Sequence, residues 1–311
     1  MNGVVIIDKA PGWTSTRVVA VIKKVYPHRK VGHIGTLDPL ATGVLPVCIG
    51  EATKIADYLV ETFKEYRCTA LLGYTSPTLD TESELTTGGA AIADVDEAAI
   101  SNILQRMTGD WEQQVPVYSA VKVNGVPLYK MARKGIGVIA PIKRVIIQHI
   151  TMEKFYPPRV DLLVRCSKGT YIRSLCAYIG SALGCGAVME SLCRTRSGSF
   201  NLDMALRLPL DGDKNSIRAI LDSRIIPLKQ IISEMPHFVV RSPEKIRNGC
   251  QPTRDVIGAP ATVLTAGETV GFIEADSVPL AIGRMLYGSA EMQYLEANIP
   301  VAKILRVFNR T

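Results

Sequence analysis

Two short runs of consecutive apolar residues constrain the fold more than any other feature of this sequence. One lies near the N-terminus in GVVIIDK, and the other lies at residues 44–50 in VLPVCIG. Each has the length of a strand and is bounded by glycine or by charged residues, so each predicts a buried β-strand. The chain must therefore contain a sheet, and the segments around these runs decide what covers it.

Helical and strand patterns alternate through the first two thirds of the chain. Such alternation predicts an α/β or α+β domain with a mixed sheet. After the first strand, the predicted elements are a helix with Ser15 as its N-cap, a helix in EATKIADYLVE with Ile55, Leu59 and Val60 on one face, a strand in EYRCTALLG, a helix in EAAISNILQRMTG closed by Gly109, a strand at 160–166, and a helix whose apolar face runs from Ile172 to Leu183 and which Gly184 closes.

Two segments differ from this pattern. The stretch TLDTESELTTGGAAIADVDE is acidic and then rich in glycine and alanine, and is expected to be a surface excursion. From Pro236 onward, short β runs are broken by Asn-Gly, Pro and Gly-Glu turns. This texture predicts a small all-β barrel or sandwich of about seventy to eighty residues.

Charge and cysteine content narrow the class of protein. Lys and Arg number 36 against 29 Asp and Glu, and the net charge of +7 favours a polyanionic partner without identifying it. The seven cysteines form no C-x-x-C pair, which indicates reduced thiols. The N-terminal strand reaches Asp8 too soon for a signal peptide, and no apolar run approaches membrane-spanning length. We therefore expect a soluble, cytoplasmic protein.

Asp38 and Arg173 are the two most unusually placed charges. Asp38 is the only carboxylate between Val31 and Gly50, so it must find a distant cation or suffer a raised pKa. Asp-Pro also initiates turns, and a purely structural role remains open at this point. Arg173 falls in the first turn of its predicted helix, where a cation opposes the helix dipole and needs another group to hold it.

Other candidate residues have equally ordinary interpretations when taken singly. Tyr66 on its strand could be a half-buried structural tyrosine, and His33, which lies between two glycines, could belong to a turn. No His, Cys, Asp or Glu cluster has metal-ligand spacing, and no glycine-rich phosphate-binding motif is present. We expect neither a metal nor a nucleotide cofactor.

Six motifs, taken together, resemble one enzyme family. GHIGTLDPLATGVLPVCIGEATK closely resembles the signature of the bacterial TruB-type tRNA pseudouridine synthases. The other matching stretches occur in the order of the family and, with the signature, cover roughly residues 3–210: VVIIDKAPGWTS, KEYRC, VPVYSAVKVNGVPLYKMARKG, CSKGTYIRSL and ESLCRTRSGSF. The tail, with IRNGCQP as its best-matching piece, resembles more weakly the PUA RNA-binding domain.

The resemblance implies an architecture and a reaction. It implies an α+β fold whose mixed or antiparallel central sheet is flanked by helices, over residues 1–232, followed by a small PUA-like β-barrel over 236–311. It implies that the chain binds tRNA and isomerises uridine 55 in the T-arm loop to pseudouridine, acting as a monomer without a cofactor. In this reaction the N1–C1′ bond breaks, the base turns over, and the base is rejoined to the sugar through C5.

The resemblance also implies residue roles. Asp38 would be the nucleophile, Arg173 would be its ionic partner, and Tyr66 would stack on the uracil and is a candidate to move the C5 proton. Because the uridine must be flipped out of a folded loop, His33 would occupy the space that the base vacates. The remaining assignments are to Tyr171 and Leu192, which would line the receiving pocket, and to Lys9, which would support the site from a buried position.

Three alternatives remain. The chain could be a non-catalytic RNA-binding or tRNA-folding protein on the same scaffold, or a pseudouridine synthase that acts on a different RNA site. An Asp- and Mg-dependent phosphoryl transferase would need a second carboxylate near Asp38, which the local sequence does not supply. Because the excursion after residue 77 is so acidic, we expect it not to contact RNA.

Overall fold

The computed structural model describes residues 2–59, 63–89, 92–209, 212–260 and 262–309. Its strands are β1 (Gly3–Lys9), β2 (Val31–His33), β3 (Thr42–Ile49), β4 (Lys64–Leu72), β5 (Tyr74–Thr75), β6 (Thr86–Thr87), β7 (Gly109–Gln114), β8 (Lys122–Val123), β9 (Val126–Pro127), β10 (Ile142–Tyr156), β11 (Arg159–Cys166), β12 (Ala187–Ser197), β13 (Phe200–Asn201), β14 (Ile226–Pro227), β15 (His237–Val239), β16 (Thr269–Ile273), β17 (Pro279–Met285) and β18 (Ala302–Val307).

Helices are interspersed with these strands. They are α1 (Ser15–Val25), α2 (Ala56–Leu59), α3 (Glu97–Met107), α4 (Leu128–Ala132), α5 (Ile172–Ala182), α6 (Lys214–Asp222), α7 (Leu228–Glu234), α8 (Pro243–Arg247) and α9 (Ser289–Met292), with short 3-10 helices at Gly50–Ile55, Ile92–Asp94 and Leu202–Met204. Within the described ranges, no helix is both long and apolar enough to cross a membrane.

The central sheet is mixed, as predicted. Its strand order is β14-β1-β3-β12-β4-β11-β10-β7, with β2 added to β3 and β13 added to β12. The β3–β12 pair is parallel and the other neighbours along this path are antiparallel. The parallel pair brings the start of β3, which follows Asp38, against Cys193 and Arg194 of β12. A separate four-stranded sheet, β15-β16-β17-β18, forms the C-terminal part, where a small β region was expected.

The apolar run in β1 is buried on both faces of the sheet, which explains why it does not alternate with polar residues. Val5 and Ile7 pack into a core with helices α1, α3, α5 and α6, whereas Val4 and Ile6 face a second core on the other side. In β4, by contrast, Tyr66, Cys68, Ala70 and Leu72 all share the first core. Strand β4 therefore presents one buried face toward helix α5.

Several predicted elements need correction at their ends. The N-cap of α1 is Thr14, whose side chain accepts from the Arg17 amide, rather than Ser15. The segment after β3 is a 3-10 helix followed by the short α2, and Val60 lies outside the described residues. Gly109, at φ +100°, directly follows the C-cap Thr108 of α3, as predicted, and is also the first residue of strand β7. The end of α5 is confirmed, with Gly184 at φ +76° directly after the C-cap.

The C-terminal sheet packs on the back of the central sheet. Phe308 lies in the second core, which joins Val4 and Ile6 of β1 to Ile273 and Ile282 of the C-terminal sheet. Polar contacts reinforce the junction, because the Lys54 ammonium donates to the Val307 carbonyl (2.8 Å) and the Asn309 amide donates to Glu51 (2.8 Å). The last strand is thereby fastened to the segment that follows β3.

Phe308→Ala is expected to reduce the free energy of unfolding by about 3 kcal/mol, because a large side chain leaves a cavity between two sheets. Urea unfolding followed by circular dichroism measures this change. Tyr294→Ala is the matched control, since the Tyr294 side chain is 84% exposed, and should change stability by less than about 0.5 kcal/mol. Equal, small losses in both variants would show that Phe308 does not hold the two sheets together.

Candidate active site

Asp38 lies in the loop between β2 and β3, and this loop is anchored from several sides. The Ser15 hydroxyl contacts both the amide (2.9 Å) and the carbonyl (3.2 Å) of Leu37. The Ala41 amide donates to the Asp38 carbonyl (3.1 Å), so the Asp-Pro step does form a turn. Gly12 donates its amide to the Pro39 carbonyl (2.9 Å). The carboxylate is therefore carried by a backbone that has little freedom to move.

Lys9 supports the same loop from within the protein. Its side chain is fully buried, and its ammonium donates to the carbonyls of Ala10 (3.0 Å), Trp13 (2.5 Å) and Pro39 (3.0 Å). An ammonium has three donors, so these carbonyls satisfy all of them. Burial lowers the pKa of Lys9 from 10.5 to about 8, against the raising effect of Glu82 and Asp38. Lys9 ties the end of β1 to the residue after Asp38.

The lowered pKa of Lys9 has a measurable consequence for stability. Between pH 8 and 10.5 the unfolded chain binds the Lys9 proton more tightly than the folded chain, so this residue makes stability rise with pH. The stability difference between the wild type and Lys9→Met should shift by about 2–3 kcal/mol in favour of the wild type from pH 7 to pH 10. Urea unfolding at both pH values measures it. A difference independent of pH would contradict the lowered pKa.

Arg173 joins the start of α5 to the Asp38 loop. Its Nε donates to Asp38 Oδ2 (2.9 Å) and its Nη2 to Asp38 Oδ1 (3.3 Å), which gives a two-point contact across 135 positions of sequence. Nη1 donates to the Thr78 carbonyl (2.8 Å) and Nη2 also to the Tyr118 carbonyl (3.2 Å). The Arg173 side chain is 6% exposed but that of Asp38 is 34% exposed. The arginine is thus buried behind a carboxylate that remains open to solvent.

A second carboxylate shares Arg173, which the sequence alone did not indicate. Asp80 Oδ2 lies 3.7 Å from the Arg173 Nε and its side chain is 4% exposed. Asp80 also accepts from the Glu82 amide (3.1 Å) and from the Thr78 hydroxyl. Burial, together with the charge of Asp80, raises the pKa of Glu82. The acidic excursion, expected to be only a surface segment, therefore forms one wall of the site; its Ala90 and Ala91 lie outside the described residues.

Asp38 and Asp80 both face the guanidinium of Arg173. No group of three or more His, Cys, Asp or Glu side chains able to hold a metal ion occurs in the part of the chain that the structure describes. The Arg173 Nε lies 2.9 Å from Asp38 Oδ2 and 3.7 Å from Asp80 Oδ2, so one guanidinium serves two carboxylates. The arrangement places a positive charge directly against the solvent-exposed carboxylate of Asp38.

Tyr66 approaches the site from β4 and faces a buried arginine. Its side chain is 8% exposed and burial raises its pKa, whereas Arg194 acts in the opposite direction. Tyr66 and Arg194 are cross-strand neighbours in the antiparallel β4–β12 pair. Arg194 was not among the sequence-predicted site residues. The sequence did contain an indication that Arg194 faces the site, because Leu192 and Arg194 are two positions apart and therefore share one face of a strand.

The remaining candidate residues lie at the end of β2, at the start of α5 and on β12. His33 ends β2, and its Nδ1 is buried without a hydrogen-bond partner among the described residues. Burial and the Arg194 charge lower the His33 pKa. Tyr171 is the N-cap of α5, two positions before Arg173, and is half-buried. Leu192 is buried on β12 opposite Cys68.

The turn that leads into α5 is held by strand β7. The Gln113 side chain is buried, donates to the Gly169 carbonyl (2.7 Å) and accepts from the Tyr171 amide (3.0 Å). The Ser174 hydroxyl donates to the Gln114 carbonyl (2.7 Å). These three bonds fix the first turn of α5 and hence the direction of Arg173. Gln113 was also missed in the sequence, where a glutamine in a short strand carries no distinctive signal.

Comparison with protein-family models gives two matches. Residues 23–172 match the N-terminal domain of the TruB family pseudouridylate synthases, and residues 173–232 match the tRNA pseudouridylate synthase B C-terminal domain. The boundary between the matches falls directly before Arg173. The two matches together therefore include both members of the Asp38–Arg173 pair.

Curated relatives match along nearly the whole chain. A protein named tRNA pseudouridine synthase B from Syntrophus aciditrophicus is 41% identical over 312 residues, covering 99% of each chain. A protein of the same name from Syntrophotalea carbinolica is 36% identical and covers 99% of this chain and 98% of its own.

Solved structures extend the likeness to the fold. A Cbf5-Nop10-Gar1 complex contains a chain with a TM-score of 0.75 and 27% identity, covering 98% of this chain and 84% of its own. An H/ACA RNP bound to a substrate RNA gives a TM-score of 0.74 and 25% identity, covering 99% and 85%. The site geometry, the family models and the full-length relatives agree, and the chain belongs to the TruB family of pseudouridylate synthases.

Proposed function

We propose that this chain isomerises uridine 55 in the T-arm loop of tRNA to pseudouridine, with Asp38 as the nucleophile. Membership in the family makes the chain an enzyme that forms pseudouridine in tRNA. The two-point contact between Arg173 and the solvent-accessible carboxylate of Asp38 carries the finer proposal. Such a contact gives the carboxylate charge-assisted hydrogen bonds and leaves one side free for an incoming nucleotide.

The roles of the surrounding residues follow from their positions. Tyr66 would stack on the uracil and move its C5 proton, and the uncharged ring of His33 would fill the gap that the flipped base leaves in the RNA. Flipping costs a few kcal/mol of unstacking, which contacts with the extruded base must repay. Tyr171 and Leu192 would line the pocket on either side, and Lys9 would hold the Asp38 loop in place.

We also propose that the chain consists of two domains with different roles. Residues 1–232 would form the catalytic domain and residues 236–311 a PUA-like RNA-binding domain. In support, β14 at 226–227 still belongs to the central sheet, whereas β15 at 237–239 belongs to the C-terminal sheet. We expect the enzyme to work as a monomer in the cytoplasm, where it would meet its tRNA substrate.

Release of the C5 hydrogen tests the proposed function. The isomerisation removes this hydrogen, so tRNA transcribed with [5-³H]uridine should release tritium to water. Tritium release should stop when each tRNA has lost the tritium of one uridine. It should be absent when uridine 55 is replaced by cytidine. An isolated T-arm hairpin should remain a substrate. No release would favour a non-catalytic RNA-binding protein, and unchanged release from the cytidine variant would place the reaction at another uridine.

A further inference from the structure

Arg194 is a buried cation that lacks the usual compensation. Among the described residues it is the largest side chain that is fully buried, with 1% of its surface exposed. No carboxylate in the described ranges forms an ion pair with it, whereas Arg173 contacts two. Burying a charge without a partner costs several kcal/mol. A cost of this size indicates that the positive charge of Arg194 contributes to function.

The contacts of Arg194 are made to neutral groups. Its Nε donates to the Val44 carbonyl (2.7 Å) and its Nη2 to the Gly35 carbonyl (3.0 Å), which brackets the loop that carries Asp38. The guanidinium also lies near the phenol of Tyr66, its cross-strand neighbour, and acts on it electrostatically. A Cβ on Gly43 would lie 2.3 Å from the Arg194 carbonyl oxygen, so β3 and β12 are in close contact where the Asp38 loop enters β3.

A structural role alone would not require a permanent charge. Two carbonyls can be satisfied by the NH2 group of a neutral amide, and a neutral group is less costly to bury. The anion that Arg194 could stabilise must lie close to the guanidinium. Asp38 is already held by Arg173, which leaves the oxygen of Tyr66.

We propose that Arg194 is a positioning residue that fixes the Tyr66 phenol in the site and supplies the positive charge that stabilises its phenolate during the reaction. The inference rests on the proposed function, in which Tyr66 moves the C5 proton. It assigns Arg194 no contact with the RNA, because the side chain is enclosed by β3, β4 and the Asp38 loop.

The proton balance closes without a co-reactant. Tyr66 first gives its phenolic proton to solvent. When the new C5–C1′ bond has formed, the phenolate oxygen accepts the C5 proton, the electron pair of the C–H bond forms the C5–C6 double bond, and the C6–N1 π pair moves onto N1. The base has by then lost its sugar from N1, and N1 gains a proton in pseudouridine. Transfer of one proton from C5 to N1 through the phenol and solvent returns Tyr66 to its starting form.

Three groups facing Tyr66 control its protonation. Burial raises the Tyr66 pKa, the Cys166 thiol on β11 and Asp38 act in the same direction, and Arg194 opposes them. A neighbouring cation favours the phenolate, so removing it must raise the pKa further. The effect should be absent when Arg194 is replaced by another cation that reaches the phenol.

Titration of Tyr66 by NMR tests this assignment. Protein labelled with ¹³C at tyrosine Cζ is titrated, and the Tyr66 resonance is identified by its loss in Tyr66→Phe. Arg194→Met and Arg194→Gln should move its midpoint upward by at least about one pH unit, and Arg194→Lys should move it less. Single-turnover rates of pseudouridine formation at pH 7.5 should fall about tenfold or more in both neutral variants and partly recover in the lysine variant.

Controls separate a charge effect from a folding effect. Arg67→Met removes an exposed arginine beside Tyr66 that pairs with Glu153 at 3.1 Å, and should leave both readouts unchanged. If Arg194→Met does not fold, Arg194→Gln carries the comparison, because its amide can still donate to a carbonyl. An unchanged Tyr66 midpoint in a folded neutral variant would overturn the inference. The titration needs no RNA. It therefore tests the effect of Arg194 on Tyr66 even if the enzyme assay contradicts the proposed function.

Discussion

Asp38→Asn is expected to abolish pseudouridine formation, with a rate loss of at least about 10⁴-fold. The amide keeps the shape of the side chain but cannot act as a nucleophile, and it loses the charge that pairs with Arg173 at 2.9 Å. Binding should change little, because Asp38 is an anion and contributes no attraction to phosphates. Single-turnover rates and filter-binding affinities for unmodified tRNA give the two quantities separately.

The matched control for Asp38→Asn is Asp203→Asn, which removes the same charge from an exposed short helix. This control should retain the wild-type rate. Multiple turnovers by Asp38→Asn at the wild-type rate would exclude a nucleophilic role. A loss of tRNA affinity as large as the loss of rate would instead indicate that Asp38 is needed for binding.

Arg173→Met is expected to lower the turnover rate by about 10³-fold or more while tRNA affinity stays within a fewfold of the wild type. The substitution leaves Asp38 without a cation and Asp80 buried without its ionic partner. It also releases the carbonyls of Thr78 and Tyr118, so two walls of the site lose a common anchor. Breaking a buried pair in this way should cost about 3–5 kcal/mol of stability.

Arg173→Lys distinguishes charge from geometry at this position. A lysine retains the charge but cannot make the two-point contact with Asp38 while reaching both carbonyls. We therefore expect Arg173→Lys to be more stable than Arg173→Met but to recover little of the turnover rate. Equal losses of affinity and turnover in Arg173→Met would make Arg173 a phosphate contact instead of a partner of Asp38.

The fold was predictable from sequence where the signal is local. The apolar run of β1 and the stripe from Ile172 to Leu183 gave the correct element types, since each pattern follows directly from burial on one or both faces. The cap of α1 was misplaced by one residue because Thr14 and Ser15 are both good N-caps. Only the tertiary structure shows that Ser15 is used instead to hold Leu37.

The site was predictable only in part, because its members come together across long stretches of sequence. The isolated position of Asp38 and the unfavourable position of Arg173 at a helix start both indicated a missing partner, and the family resemblance linked them. Nothing local indicated that Asp80 would turn inward to share Arg173. Composition predicted a solvated acidic loop, and tertiary contact with a buried cation made part of that loop a wall of the site.

Mapping pseudouridine in one tRNA tests the central claim most directly. Unmodified tRNA is incubated with the wild type or with Asp38→Asn, treated with carbodiimide, and read by primer extension, which stops at modified pseudouridines. The account predicts a single new stop at uridine 55 with the wild type and none with Asp38→Asn. No stop with the wild type, or the same stop with the variant, would contradict it.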